Sequence, residues 1–428
     1  MNRGEKQQRE MGNFKTMKVC IHRGSNEIGG NCIEIESQGK RIVLDIGLPL
    51  DAADADDLPL HPIDGFESPH DSLLGVIISH PHQDHYGLAH RLPKTTPFLV
   101  GKAAESILSA ASLFSPAGVK LDNVKHLEDR VRIKLGPFVI TPYLVDHSAY
   151  DSYAILIEAE GKRLFYTGDF RGHGRKSSLI DKLIESPPSN VNVLLMEGTC
   201  IGREDTKFPS EDELVPKFVG IFKETPGMPL VWCSGQNIDR IVTIFKACKQ
   251  AGRQLILDMY TAEILRATGN DRLPQAEWDS ISVFLPKSQK MRIVQTKSFQ
   301  ISDSYKPNRI YDNALVNAAS KSVMLFRPNM FRELDEVGCL QGSCVVNSVW
   351  SGYLEDEKNK PFVSLIRERG IPLHLVHTSG HASISDLQRM RSAFPDALAV
   401  PVHLNDRERF TNLFNNVQLR NDGDWWEV

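Results

Sequence analysis

Alternating and continuous apolar positions divide the first half of the chain into short strands joined by tight turns. Residues 32–36 alternate apolar and polar side chains, residues 38–39 turn the chain, and residues 41–45 return, which predicts a β-hairpin. Residues 73–79 form a continuous apolar run that is typical of a buried strand. The same patterns predict a helix over 103–114 and further strands at 18–22, 96–100, 130–133, 138–143, 152–157, 164–169 and 191–196.

The pattern changes near Phe208, where strands begin to alternate with helices. Ser210 and Glu213 have the spacing of a helix capping box, and the helix that follows is predicted to run to about Lys223. A strand at 230–233, an amphipathic helix at 236–250 and a strand at 255–258 come next. Because this order is typical of parallel sheets, we predict an α/β chain with a second parallel-sheet unit. The predicted divisions are a disordered tail at 1–16, one domain from 17–207 and 356–428, and an inserted domain at 208–355.

Residues that bind metals or carry protons stand at the ends of these strands. The segment His80-Pro81-His82-Gln83-Asp84-His85 directly follows the 73–79 strand. Other strand or turn segments end in His147, Asp169, Glu197, His381 and His403. Since the carboxyl ends of strands are where α/β sheets place their chemistry, this recurrence predicts one composite site built from several loops. Asp45 also ends a strand and could support a metal-binding residue without itself binding the metal, but an ordinary turn aspartate is the favoured interpretation.

The types of these residues indicate two divalent metal ions. His80, His82 and His147 offer three imidazole nitrogens to one ion, whereas Asp84, His85 and His403 can hold a second. Asp169 can bridge the two ions with separate carboxylate oxygens. Such a nitrogen and oxygen set suits Zn²⁺, which we favour, and also accepts Mn²⁺. Two ions that share a water molecule make a nucleophile at neutral pH and can clamp a phosphodiester.

Composition excludes several classes of protein. The chain has 428 residues, is 41% apolar and 24% charged, and carries a net charge of −4, so it is not a globally basic nucleic-acid binder. Its start lacks the apolar segment of a signal peptide, and no apolar run approaches the length of a membrane span. Seven scattered cysteines without a Cys-x-x-Cys pair favour free thiols and a cytoplasmic location. The acidic run at 51–57 is interpreted as a solvated loop.

Taken together, these motifs resemble the metallo-β-lactamase fold and, within it, the β-CASP nucleases. The 80–85 segment resembles the His-x-His-x-Asp-His signature of that fold, with His147 and Asp169 downstream. The residues that most resemble ribonuclease J are Gly24-Ser25-Asn26-Glu27-Ile28-Gly29-Gly30-Asn31, Ser379-Gly380-His381-Ala382-Ser383 and Pro401-Val402-His403. The chain departs from that family at Leu404-Asn405, where ribonuclease J usually has Gly-Glu. The resemblance implies an αββα sandwich interrupted by a Rossmann-like β-CASP domain.

The resemblance also implies roles for individual residues. Glu197, His381 and His403 match three successive β-CASP motifs, which adds a proton donor to the metal site. We expect Asp84 to orient or deprotonate the nucleophile, and His381, with its pKa raised by Glu197, to protonate the leaving oxygen. In the competing interpretation, His381 only binds the substrate phosphate.

A second set of residues is predicted to bind substrate phosphate. These candidates are His377, Ser379, Gly380, Ser234 and Arg240. Two of them have ordinary alternatives, because His377 could be a buried strand histidine and Arg240 a salt-bridge residue. Three further groups are weaker candidates. The basic loop with Arg171, His173, Arg175 and Lys176 could attract a phosphate backbone or be an ordinary solvated loop. The segment Ser351-Gly352-Tyr353 could line the same cleft, and Trp425 with Trp426 could stack bases or pack on the domain.

The function predicted from these observations is cleavage of nucleic acid, with RNA favoured, by a metal-dependent ribonuclease J-like enzyme. A DNA nuclease of the same fold is the first alternative, because recognition of the 2′-hydroxyl cannot be read from these motifs. A small-molecule metallo-hydrolase is the second, and a metal-bound scaffold without activity is the third. Endonuclease or exonuclease mode stays open. We expect no membrane partner, and a dimer is compatible with the sequence.

Overall fold

The computed structural model describes residues 16–52, 55–115, 118–203 and 207–428. The predicted tail at 1–16 therefore lies outside the described residues except for Thr16, and so do two positions of the acidic run at 51–57. No helix in the described part of the chain is long and apolar enough to cross a membrane. All seven cysteines are described, and each is buried with a free thiol, as predicted.

The described residues form nineteen strands and thirteen α-helices. The strands are β1 Lys18–Arg23, β2 Cys32–Ser37, β3 Lys40–Leu44, β4 Leu73–Ile77, β5 Phe98–Gly101, β6 Val124–Leu127, β7 Ile133–Leu135, β8 Phe138–Val145, β9 Ser152–Ala159, β10 Lys162–Tyr166, β11 Val193–Glu197, β12 Pro229–Trp232, β13 Gln254–Asp258, β14 Ile281–Phe284, β15 Ser322–Phe326, β16 Cys344–Asn347, β17 Leu373–Leu375, β18 Leu398–Val402 and β19 Trp425–Glu427.

Helices follow the strands and are named in the same way. They are α1 Gln83–Tyr86, α2 Lys102–Phe114, α3 Ser178–Glu185, α4 Glu211–Glu224, α5 Ile238–Ala251, α6 Met259–Ala267, α7 Lys287–Thr296, α8 Phe299–Ser304, α9 Asp312–Ala318, α10 Phe331–Val337, α11 Lys360–Glu368, α12 Ile384–Ala393 and α13 Arg407–Leu413. Helix α4 begins with the predicted capping box, in which Ser210 Oγ accepts from Glu213 N and the Glu213 carboxylate accepts from Ser210 N.

Two sheets form the first domain. One has seven strands in the order β19-β1-β2-β3-β4-β5-β6, and the other has six in the order β18-β11-β10-β9-β8-β7. Their facing sides share one apolar core, to which Ile21 and Ile33 contribute from the first sheet and Ile140, Ile155 and Leu195 from the second. This core explains the alternating pattern of the sequence, because only one side of each strand faces the opposite sheet.

Helices cover the outer sides of both sheets. Ala104 and Leu108 of α2 pack on the first sheet, while Ile180 of α3 and Leu387 of α12 pack on the second. The layers are therefore helix, sheet, sheet and helix, which confirms the predicted αββα sandwich.

A third sheet forms the inserted domain. Its six strands are all parallel and lie in the order β14-β13-β15-β12-β16-β17, which confirms the predicted parallel-sheet unit. Strand β17 pairs with β16, and Phe362 and Ile366 of α11 pack into the core of the insert. The insert thus extends through Leu375, which corrects the predicted end at residue 355. The periodicity of α11 does not reveal to which sheet the helix belongs, because either domain could bury its apolar side.

Candidate metal centre and active site

Strand ends of the αββα sandwich bring the predicted metal ligands together. His80 follows β4, His147 follows β8, Asp169 follows β10 and His403 follows β18. Asp84 and His85, which were predicted on a loop, lie in the single-turn helix α1. In the second sheet β8, β10 and β18 run in the same direction and end at one edge, so residues far apart in sequence meet there.

The first group of donors is His80, His82 and His147, whose ligand atoms lie within 4.8 Å of one another. His147 Nε2 is 3.1 Å from His82 Nδ1, so these two ring nitrogens are directed toward the same point. Ser79 Oγ contacts His80 Nδ1 at 3.0 Å, which leaves His80 Nε2 buried without a hydrogen-bond partner.

The second group is Asp84, His85, Asp169 and His403, again within 4.8 Å. Asp84 Oδ2 is 3.3 Å from His403 Nε2, and Asp169 Oδ2 is 3.2 Å from His85 Nε2. Asp169 Oδ2 is also 3.7 Å from His80 Nε2 of the first group. Asp169 therefore lies between the two groups, in the position from which one carboxylate can serve both.

Asp45 fixes the orientation of the His85 ring through the ring nitrogen Nδ1. Its Oδ2 accepts from His85 Nδ1, Ser79 Oγ and Tyr166 OH, each at 2.8 Å, and its Oδ1 accepts from Ser79 N at 2.7 Å. A proton on Nδ1 leaves the lone pair of His85 on Nε2, which faces Asp169. The favoured interpretation of Asp45 as an ordinary turn residue is therefore wrong. Tyr166 was missed, because a tyrosine inside a strand gives no sequence signal for this role.

Three other residues outside the predicted set position ligands. Thr199 Oγ1 contacts His403 Nδ1 at 2.8 Å, so that His403 Nε2 is directed toward Asp84. The backbone amides of Gly30 and Asn31 donate to the Asp84 carbonyl oxygen at 3.1 and 3.3 Å. The 24–31 segment, quoted above only for its resemblance to ribonuclease J, thus fixes the turn that carries Asp84.

Burial and neighbouring charges shift the pKa values of the candidate ligands in opposite directions. Burial, together with neighbouring imidazoles, lowers the pKa of His80 and His147 well below the usual range, so both rings keep a lone pair. For His85, burial opposes protonation, but the carboxylates of Asp169 and Asp45 outweigh it and raise the pKa well above normal. Burial opposes ionisation of Asp169, yet the surrounding histidines hold its pKa well below normal.

Buried ligand atoms that have no hydrogen-bond partner indicate whether the two groups fit metal ions. His80 Nε2, His85 Nε2 and both carboxylate oxygens of Asp169 are buried without a hydrogen-bond partner. Leaving such groups unpaired costs about 1–3 kcal/mol each, and more for charged groups, so a protein retains them where a ligand satisfies them. Nitrogen and carboxylate donors in these numbers fit divalent metal ions.

Glu197 and His381 adjoin the second group. His381 Nδ1 lies 3.3 Å from Glu197 Oε2 and 3.5 Å from Asp169 Oδ2, an ion-pair contact in both cases. The other Glu197 oxygen accepts from Phe170 N at 2.7 Å, which fixes the carboxylate. Burial opposes protonation of His381, but Glu197 and Asp169 prevail and raise its pKa. Glu197 and His381 also fall, with Asp169 and His403, within a third set of donors that could hold a metal ion.

Ser379 and Gly380 shape the turn that carries His381. The Ser379 carbonyl oxygen accepts from Arg171 Nη1 at 3.1 Å and His173 Nε2 at 2.9 Å, and Ser379 Oγ accepts from His381 N at 3.1 Å. A Cβ atom on Gly380 would come within 2.5 Å of the Ser148 hydroxyl, so this position needs glycine. These contacts position His381, and the predicted phosphate-binding role of both residues stays a prediction.

Arg240 does not have the predicted phosphate-binding environment. Its side chain is fully buried, and its guanidinium contacts both Glu211 oxygens at 3.1 Å together with the Ser348 and Thr378 carbonyl oxygens. With these donors engaged inside the insert, Arg240 has none to offer a substrate. The alternative of a salt bridge was therefore the better one, although the bridge is buried and not on the surface.

His377 is also unsuited to holding an anion in this arrangement. Its Nδ1 donates to the Ser348 carbonyl oxygen at 3.2 Å, so the neutral ring presents only an acceptor at Nε2. Burial, reinforced by Arg240, lowers its pKa to about 4. Ser234, by contrast, is exposed, and its hydroxyl accepts from Gln236 N at 3.2 Å. A substrate contact at Ser234 stays a prediction.

The basic loop at 171–176 joins the two domains. Arg171 is fully buried and contacts Asp146 at 3.6 Å in its own domain, and Asp239 at 2.6 Å and Glu211 at 3.5 Å in the insert. Arg175 Nη1 reaches Asp212 of the insert at 2.8 Å. Arg171 and Arg175 thus dock the insert, and their guanidinium groups are engaged by its carboxylates, which is neither of the two environments considered for this loop, a phosphate-binding loop or a solvated one.

The two terminal tryptophans have different surroundings. Trp426 is buried in the core between the sheets, where the Arg420 guanidinium carbon lies 4.6 Å from its ring centre. Trp425, its neighbour in β19, is 47% exposed. Trp426 therefore packs on the domain, which was the alternative given for these residues.

Comparison with known proteins agrees with this fold. Residues 40–213 match the family model of the β-lactamase superfamily domain. This match confirms the resemblance to the metallo-β-lactamase fold that the motifs predict.

The similar proteins are named ribonuclease J. That of Helicobacter pylori (strain ATCC 700392 / 26695) is 30% identical over 234 residues, which are 53% of this chain and 34% of that protein. That of Mycobacterium tuberculosis (strain ATCC 25618 / H37Rv) is 25% identical over 252 residues, covering 56% of this chain and 44% of that protein. The matched region spans less than half of the length of either relative.

One solved structure matches nearly the whole chain. A protein of unknown function from Enterococcus faecalis V583 superposes with a TM-score of 0.79 at 21% identity, covering 96% of this chain and 100% of the other. At this identity the likeness concerns the fold alone, and it includes the inserted domain.

Proposed function

We propose that this protein is a metal-dependent ribonuclease of the ribonuclease J type. The observation that carries the proposal is the convergence of two adjacent donor groups on Asp169, with the Glu197 and His381 pair beside them. The names of the similar proteins support RNA as the substrate. The free thiols of all seven cysteines support a reducing, cytoplasmic location.

His80, His82 and His147 would hold one ion, and Asp84, His85 and His403 the other, with Asp169 between them. When bound, two divalent ions, Zn²⁺ by preference and Mn²⁺ as the alternative, supply Lewis acidity that lowers the pKa of water and stabilises charge on phosphoryl oxygens. Asp84 is only partly buried, so its carboxylate can reach a water molecule or substrate as well as a cation. We assign it the orientation, and on attack the deprotonation, of the nucleophile.

His381 donates the proton to the leaving oxygen. Its side chain is 21% exposed, whereas that of its partner Glu197 is 1% exposed, so the imidazole faces the space that substrate would enter. The carboxylates of Glu197 and Asp169 outweigh burial and raise the pKa of His381, which favours the protonated ring that a general acid needs. Glu197, held by Phe170 N, keeps the ring in this orientation.

A cleavage assay with metal-ligand variants tests the proposal. Purified protein is expected to cleave end-labelled single-stranded RNA when Zn²⁺ or Mn²⁺ is present, and to lose this activity when a chelator removes the metal. The His80→Ala/Asp84→Ala double variant should be inactive, and His381→Gln should reduce kcat by about 10²- to 10⁴-fold. His126→Ala, which removes an exposed histidine paired with Glu105, is the matched control and should cleave normally.

Matched substrates separate the alternatives. RNA and DNA of one sequence, each with 5′-hydroxyl, monophosphate and triphosphate ends, show which sugar and which end the enzyme accepts. Cleavage of DNA alone would favour a DNA nuclease, and hydrolysis of small esters without cleavage of either polymer would favour a metallo-hydrolase. Undiminished RNA cleavage by the double variant, free of contaminating nuclease, would refute the proposal.

A further inference from the structure

Two aromatic side chains of the insert are exposed to solvent side by side. Trp350 is 53% exposed and Tyr353 is 42% exposed, and their ring centres lie 5.9 Å apart at an interplanar angle of 79°. A Cβ atom on Gly352 would come within 2.4 Å of the Trp350 ring, so the glycine between them lets the indole fold against the backbone. Large aromatic rings left in water forgo the free energy of burial, and such a patch is typical of a binding surface.

The pair is connected to two segments that carry active-site residues. It follows β16, and Ser348, two residues before Trp350, accepts through its carbonyl oxygen from Nδ1 of His377, which stands four residues before His381. The Arg203 guanidinium carbon lies 5.7 Å from the centre of the Trp350 ring. Arg203 stands six residues after Glu197, so this contact joins Trp350 to the segment that carries Glu197.

A cation also lies beside the Tyr353 ring. The Lys358 ammonium is 5.8 Å from the ring centre and 3.2 Å from the Asp356 carboxylate. Each ring of the aromatic pair therefore has one cation beside it, Arg203 at Trp350 and Lys358 at Tyr353.

We infer that Trp350 and Tyr353 form a stacking subsite for the bases of a single-stranded nucleic acid beside the metal groups. Every nucleobase has a π-face that can stack on an exposed indole or phenol ring, and adjacent cations can neutralise the phosphate backbone. Single-stranded binding sites combine these same two features. The inference rests on the proposed function, and it adds the contacts that hold the strand while the phosphodiester reaches His381.

Binding and cleavage are measured separately to test the subsite. The probe for binding is a fluorescein-labelled, single-stranded RNA of about ten nucleotides with phosphorothioate linkages that resist hydrolysis, added to the metal-loaded protein. Trp350→Ala and Tyr353→Ala should each weaken binding about tenfold, and Trp350→Phe should restore most of the loss. Tyr311→Ala removes a similarly exposed aromatic ring elsewhere in the insert and should bind as the wild type does.

Abasic substrates show whether the rings contact bases. A series of cleavable RNAs, each lacking one base near the scissile phosphate, should contain a position at which the penalty of Trp350→Ala on kcat/KM disappears. That result supports stacking and excludes a purely structural role for the indole.

The outcomes distinguish the subsite from the proposed function. Equal binding by wild type, Trp350→Ala and Tyr353→Ala overturns the subsite, and cleavage by all three then leaves the ribonuclease proposal intact. Binding that depends on Trp350, without cleavage by the wild type, supports the subsite and refutes the ribonuclease. Absence of any RNA binding by the wild type overturns the subsite and favours a protein partner for this patch.

Discussion

Replacing Asp45 by asparagine tests how the second metal group is built. The substitution keeps the size of the side chain but exchanges Oδ2, which accepts three hydrogen bonds, for an amide nitrogen that donates. The hydroxyls of Ser79 and Tyr166 can rotate to accept from it, because each carries both a donor and lone pairs. The imidazole of His85 can accept only by moving its proton from Nδ1 to Nε2.

The change of the His85 tautomer determines how much metal affinity the substitution removes. With its proton on Nε2, 3.2 Å from Asp169 Oδ2, His85 has no lone pair to offer a metal ion until that proton is displaced. Loss of such a supporting partner typically lowers metal affinity about 10- to 100-fold, which corresponds to about 1.4–2.8 kcal/mol. We expect Asp45→Asn to weaken Zn²⁺ binding by this factor, and to weaken Mn²⁺ binding in the same direction.

The assay is a competitive titration of the metal-free protein with Zn²⁺ against a chromophoric chelator. Asp57→Asn, an isosteric change at an exposed position of the acidic run, is the control and should leave both affinities unchanged. Thermal unfolding of the metal-free proteins verifies that Asp45→Asn remains folded. An Asp45→Asn protein that is folded and binds Zn²⁺ within a factor of about two of the wild type would refute the proposed role of the His85 tautomer.

Two further predictions concern stability. Arg171→Ala removes a buried cation shared by three carboxylates and should lower the free energy of unfolding, measured in urea, by about 3–5 kcal/mol. Arg389→Ala removes an exposed ion pair and should lower it by less than about 1 kcal/mol. Equal effects of the two substitutions would contradict the interdomain role of Arg171. The pKa of His377 is lowered from 6.5 to about 4, so between these values the unfolded chain binds a proton that the folded protein does not. His377 therefore reduces the free energy of unfolding as pH falls from about 6.5 toward 4. In the His377→Gln protein the free energy of unfolding should depend less on pH in this range. Urea denaturation at a series of pH values measures the difference.

Strand periodicity predicted the elements and the parallel-sheet insert, whereas the αββα sandwich was predicted from the resemblance of the motifs to a known fold. Alternating positions mark the side of each strand that faces the opposite sheet, and the residue after the last apolar position lies at the edge where the site forms. This is why His80, His147 and His403 could be placed in one site although they are far apart in the sequence. The predicted domain boundary was less accurate, because α11 carries an amphipathic pattern that is equally compatible with packing on either domain.

The errors concern residues whose role depends on their three-dimensional neighbours. Arg171 and Arg240 are arginines near helix starts and loops, where the sequence indicates exposure, yet Glu211 and Asp239 meet them inside the domain interface. Asp45 could not be separated from an ordinary turn residue, because its partner Tyr166 comes from a distant strand. Sequence spacing within one loop is informative, whereas partners recruited from another strand or domain leave no local pattern.

The pairing of β11 with β18 has a consequence for how the protein is made. Val193 pairs with Leu398, and the whole insert is synthesised between these two strands. A ribosome-bound chain that has not yet reached β18 lacks His403 and can assemble only the first donor group. Closing so long a loop is entropically costly unless the insert folds first and brings its ends together. Metal loading of the complete site is therefore coupled to the folding of the insert.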